Sequence, residues 1–241
     1  MKQAKSLTML SLAAGIIFFS SCNSGKDKDA DKPSADSTVT KTETITAPMG
    51  PTSVMLIKHK VANYANWKPG YDGHDSARLA NGLHSYVIAR GVDDSNMVMV
   101  AMRMDDVTKA KTMAADPTLR EVMKKAGVIG APEIDYIEAI MNDTTAIQQT
   151  VRLMVKHKVK DWDTWKKAFD SHKQTRIDAG LSDRVVAHAV GDNHQVTIVF
   201  AVADIEKSKA FSDSQDLKDK MKEAGVEGSP SFYYYKVVQK Y

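Results

Sequence analysis

The chain has 241 residues, 43% hydrophobic and 26% charged, ordinary proportions for a globular protein with room for one large domain or two small ones. Its formal charge of +3 includes Lys2 and Lys5, which lie in a segment expected to be removed, so the balance gives no support to nucleic-acid binding. Cys22 is the single cysteine, which excludes an intrachain disulfide.

The amino terminus reads MKQAKSLTMLSLAAGIIFFSSC. Two lysines precede an apolar run from Leu7 to Phe19 that is too short to span a bilayer and reads as an export signal over residues 1–21. Ser20 and Ser21 ahead of Cys22 resemble the lipobox of bacterial lipoproteins, with Phe19 where that motif usually has leucine. The resemblance implies cleavage before Cys22, lipidation of its sulfur and acylation of the new amine. Such an anchor would hold the protein on a membrane. Asn23 stands where an aspartate would signal retention in the inner membrane, so an outer-membrane lipoprotein facing the periplasm is expected. The mixed GKDKDADK is a poor match to acidic surface-display runs. An ordinary secretory signal with a chance cysteine is the alternative. Residues 22–52 are polar and aperiodic, which predicts a disordered tether.

Next comes SVMLIKHKV, an alternating stretch rich in branched residues that predicts a strand, and the same signature returns as VRLMVKHKV. At a fixed offset of 98, Lys58 falls on Lys156, Trp67 on Trp165, Gly82 on Gly180, Asp106 on Asp204, Pro132 on Pro230 and Tyr136 on Tyr234. Two copies, 53–140 and 151–241, are therefore expected, joined by a linker at 141–150. A helix follows each first strand. In the second copy Trp165, Ala168, Phe169, His172, Arg176 and Ala179 keep helical spacing up to Gly180, a left-handed C-terminal cap. The first copy places Pro69 and Gly70 early in this helix, which weakens it. Strands at SYVIARGV/DRVVAHAV and NMVMVAMRM/HQVTIVFAV come next. Asp106 and Asp204 cap a second helical region that restarts at TLREVMKKAGV/DLKDKMKEAGV, and Pro132 and Pro230 lead into last strands at EIDYIEAI/SFYYYKVV.

Each copy thus reads β-α-β-β-α-β, a ferredoxin-like α+β unit with helices on one face of an antiparallel sheet. This order, VKDWDTWKKAFDSH, KEAGVEGSP and the strand patterns resemble the dimeric α/β-barrel superfamily, which includes antibiotic-biosynthesis monooxygenases. That family usually pairs two chains, so two tandem units imply an intrachain pseudo-dimeric α/β barrel, complete as a monomer.

Strand alternation puts Met55, Ile57, His59 and Val61 on the helix side, with Leu153, Val155, His157 and Val159 as their counterparts. The helix offers Trp67, Tyr71, His74 and Arg78, repeated as Trp165, Phe169, His172 and Arg176. His59, Trp67, His74 and Arg78, and likewise His157, Trp165, His172 and Arg176, could line one cleft per copy, suited to a small anionic or aromatic ligand. The second copy, lacking Pro69 and Gly70, is expected to be the better site. The plainer possibility is that these tryptophans and histidines are core residues, the imidazoles bonded to backbone or to Asp72 and Asp170. The family resemblance implies an alternative enzyme, a cofactor-independent monooxygenase with no metal or flavin, in which a histidine abstracts a proton from a phenolic substrate and Arg78 or Arg176 stabilises the anion. A metal site from His59, His74 and Asp72, or His157, His172 and Asp170, is disfavoured because each aspartate falls off the shared helix face. Lys58, Lys60, Lys156 and Lys158 point to the opposite side, either pairing with acids of the other copy or solvated at strand ends. Met97, Met99, Met102 and Met104 fill one strand on both faces as pliable core.

Overall fold

In a computed structural model describing residues 52–241, the two segments that alternate apolar and polar residues around KHKV form matching strands. The leader, Cys22 and all but the last residue of the tether expected at 22–52 lie outside the described residues. The first half runs β1 (Thr52–Val61), α1 (Tyr64–Gly73), α2 (Asp75–Ala80), β2 (Leu83–Gly91), β3 (Met97–Met104), α3 (Val107–Ala115), α4 (Pro117–Lys125) and β4 (Val128–Asn142). The second runs β5 (Val151–Val159), α5 (Trp162–Ser171), α6 (Lys173–Asp178), β6 (Leu181–Ala189), β7 (Asp192–Val202), α7 (Ile205–Asp213), α8 (Gln215–Glu223) and β8 (Val226–Lys240).

All eight strands pair antiparallel in the order β1-β3-β2-β8-β5-β7-β6-β4, and β4 returns to β1, so the ladder closes as a barrel. A closed ladder leaves no free edge to template further pairing. The halves meet at two seams: β2 against β8 from Val87↔Lys240 to Gly91↔Tyr235, and β4 against β6 from Ile137↔Ala189 to Asn142↔Val185. Three apolar cores result. Met55, Trp67, Ile88 and Val100 pack under the helices of the first half, and Leu153, Trp165, Ile198 and Phe200 under those of the second. The third, with Leu56, Met99, Met154 and Tyr235, draws on both halves inside the barrel.

Capping explains where the helices start. Asn63, Asp106, Asp161 and Asp204 are extended, and each side chain accepts a backbone N–H from the first turn. The single first helix expected in each copy is instead two, broken at His74 and at His172. Both residues have φ near −94° and ψ near +12°, outside the helical basin. Gly73 is not the cause, because the second half breaks at the same point after Ser171. The Arg78 N–H still donates to the His74 carbonyl at 3.1 Å, and Arg176 to His172 at 3.3 Å, so the side-chain stripe continues across the break. Pro69 sits in the second turn of α1, not the first, and the helix runs through it.

The last strands also start earlier than expected, at Val128 and Val226. Pairing shifts from Lys58↔Glu133 to Lys60↔Ile129, so Gly130, Ala131 and Pro132 form a bulge in which the proline needs no ladder partner. Gly130 and Gly228 take positive φ there.

The lysines of the repeat separate. Lys60 meets Asp94 at the exposed strand end, as the solvated alternative has it. Lys58 and Lys156 instead converge at a partly exposed site between the halves, where Glu133 accepts from both and Asp135 accepts from Lys156 at 2.8 Å. Burial pushes the Glu133 carboxyl up, but the hydrogen bonds from Lys156 and Lys58 outweigh it and hold the group below its ordinary value.

Candidate functional site

Each half places the same four side chains around one cavity between sheet and helices. In the first half His59 from β1, Trp67 from α1, His74 at the helix break and Arg78 from α2 line a space of about 80 Å³. In the second, His157, Trp165, His172 and Arg176 line a space of about 80 Å³. All eight residues singled out by spacing are thus brought together, four to a cavity.

The arrangement is a stack. Trp67 and Tyr71, four apart on α1, stack with centroids 5.1 Å apart and planes 28° apart, and the Arg78 guanidinium caps Tyr71 at 3.8 Å. Trp165 and Phe169 stack at 5.2 Å under Arg176 at 3.6 Å. At the other end the His59 ring tilts against Trp67 at 5.5 Å, and His157 against Trp165 at 5.6 Å.

The two strand histidines are the unusual groups. His59 is 4% exposed and His157 8%, yet neither ring nitrogen of either residue has a hydrogen-bond partner among the described residues. A buried donor or acceptor left unpaired costs about 1–3 kcal/mol, so each ring has polar capacity that the surrounding side chains and backbone do not meet. The expectation that backbone, Asp72 or Asp170 would satisfy them is not met. Those aspartates accept from Lys68 and Lys166 on the exposed helix surface, away from the cavity. Burial lowers the pKa of both imidazoles to about 4, so near pH 7 they are neutral, each with one N–H and one lone pair.

The two halves differ in what their other polar groups still offer. Every nitrogen of Arg176 has a partner: Nε and Nη2 donate to Asp183 at 2.9 and 2.8 Å, and Nη1 donates to the Phe169 carbonyl. His172 meets Asp216 at 3.1 Å. In the first half the position of Asp183 is Ser85, which bonds the Tyr71 hydroxyl, and the carboxylate for Arg78 comes from Asp75 on its own helix at 3.0 Å. That leaves Arg78 Nε buried and without a partner among the described residues. The buried guanidinium nitrogen without a partner therefore lies in the first half, although the second, whose helix lacks Pro69 and Gly70, was expected to be the better site. Asp183, Asp216 and Asp75 were not anticipated. None is at a repeated position, and matching across the copies highlights only what the copies share.

No family model matches the sequence, and no curated protein is significantly similar to it. Solved structures do share its architecture. An anthrone oxidase-like protein superposes with a TM-score of 0.54 at 13% identity, over 79% of this chain and 92% of that one. A candidate monooxygenase from Fusobacterium nucleatum gives 0.51 at 9% identity, over 79% and 94%. A ferredoxin-fold protein from Listeria monocytogenes related to antibiotic biosynthesis monooxygenases gives 0.41 at 9% identity, over 79% and 96%. The chain has a ferredoxin-like fold. At these identities the likeness carries the fold alone, because unrelated chemistries share this scaffold. What a ferredoxin-like half contributes is position: strand and helix hold His, Trp, aromatic and Arg groups at opposite ends of one stack.

Proposed function

We propose that the chain is a small-molecule-binding protein with one pocket in each half, taking a compact aromatic ligand that carries a hydroxyl. The two buried imidazoles without partners carry this reading. A ligand O–H can donate to the neutral ring's lone pair, or its oxygen can accept from the ring N–H, which lowers the cost of leaving the ring unpaired. The remaining walls are apolar, suited to the ring.

An enzymatic reading with the imidazole as general base is the second. The unpartnered Nε of Arg78 favours it, since that donor could hold a phenolate formed in the first pocket. The proton balance weighs against it. Moving a proton from an ordinary phenol to an imidazole with a pKa of about 4 is uphill by about 8 kcal/mol. Binding is the better-supported role, and monooxygenase chemistry belongs to the fold neighbours named for it.

Phenol and toluene, near-isosteres, separate these contributions. Phenol is expected to bind more tightly than toluene, and H59L with H157L should weaken phenol roughly tenfold while leaving toluene unchanged. Equal binding of the two, or a double variant that keeps its preference for phenol, sinks the hydroxyl-recognition reading. Oxygen uptake with a phenol would favour the enzyme.

We also infer that the two halves stand in for the two chains of a dimeric α/β barrel; the matching element order and the two seams support this. Residues 1–22 support export and acylation at Cys22, which would place the domain in the envelope. C22S should move the protein from the membrane fraction to the soluble one, and an unchanged distribution would contradict the anchor.

A further inference from the structure

The barrel interior holds a third cavity, of about 130 Å³, on the face of the sheet opposite the two helix-side pockets. Its wall is apolar, with Val54, Leu56, Met99, Ala139, Met154 and Val199. Arg152 and Arg184 line it at 6% and 8% exposed, and Lys240 also borders it. The offset that relates the copies pairs Arg152 with Val54 and Arg184 with Tyr86, so both guanidiniums are additions of the second half.

Charge is not balanced there. Asp143 is the one carboxylate among the lining residues, and Arg184 Nη1 donates to it at 2.7 Å while Nη2 donates to the Thr145 carbonyl. Arg152 meets no carboxylate among the described residues. The bonds it makes both leave from Nη1, to the carbonyls of Gln149 and Val151 at 2.7 and 2.9 Å. Carbonyls accept its hydrogens and leave its charge uncompensated, and a buried cation without a counter-ion is costly. A carboxylate entering the cavity would meet the remaining edge of a guanidinium, a geometry suited to paired N–H···O contacts. An alkyl tail would lie along the apolar wall.

We propose that the barrel interior binds an amphipathic carboxylate, its head group on Arg152 beside Arg184 and its chain along the Leu56–Met154 wall. Some of the carbonyls these arginines hold belong to the 141–150 linker, so the competing explanation is that they only tie that segment down. Hexanoate and hexanol, titrated calorimetrically into the full-length protein, separate the two. Hexanoate should bind at least tenfold more tightly than hexanol. R152M should lose that preference, and V199F, which fills the cavity and leaves every charge in place, should weaken both. If R152M does not fold, V199F still reports on occupancy. Hexanoate binding no tighter than hexanol, or undiminished in V199F, overturns the proposal.

Discussion

The H59L/H157L protein is expected to be more stable than the wild type, and the difference should grow as pH falls. At pH 7 each leucine removes unpaired ring nitrogens from an apolar site, a gain on the order of 1 kcal/mol once imperfect packing is allowed for. Acid adds more, and the sign follows from linkage. Each imidazole has a folded-state pKa of about 4 against an ordinary 6.5, so between those values the unfolded chain binds more protons than the folded one. The folded state keeps its full margin above pH 6.5, loses it as pH falls toward 4, and loses nothing further from these groups below that. The loss is about 2 kcal/mol per histidine by pH 5 and about 3 near pH 4. Urea unfolding from pH 7 to pH 4.5 checks this. Two histidines whose removal makes the protein both more stable and less able to bind phenol are retained for binding, whereas a stability loss at pH 7 would mark them as core.

The second large effect is an asymmetry between the arginines. R176M removes both partners of Asp183, whose side chain is only 13% exposed, and strands a buried carboxylate. Breaking a buried pair in this way costs about 3–5 kcal/mol. R78M strands Asp75, which is half exposed and can turn to water, so a loss of about 1–2 kcal/mol is expected, mostly from the Tyr71 contacts. Thermal unfolding should separate the two by several degrees. R176M/D183S, which removes the buried carboxylate along with its partner, should recover most of the loss. Equal losses, or no recovery in the double variant, would show that the guanidinium acts only by packing.

The architecture was legible because each element carried a local signal and the copies vouched for each other. KHKV placed the first strands, Asp106 and Asp204 the helix caps, and Gly82 and Gly180 the left-handed turns. Helical spacing was enough to predict which four side chains share a cavity, since strand alternation and the helix stripe both point inward at His59 and Trp67. What escaped depends on tertiary partners. The breaks at His74 and His172 barely move the stripe, so spacing cannot register them. The bulge before Glu133 follows from pairing with β1. The barrel cavity joins Arg152 from one strand to Arg184 from another, 32 positions apart and absent from the first copy, where repeat matching does not look.

The most direct test is an NMR titration of the imidazole nitrogens of His59 and His157 in isotopically labelled protein. Both rings should remain neutral from pH 8 down to about pH 5, and phenol added at pH 7 should shift their nitrogen resonances without protonating them. Rings that protonate at pH 6 or above, or that ignore phenol, would contradict a pair of dry imidazoles awaiting a ligand.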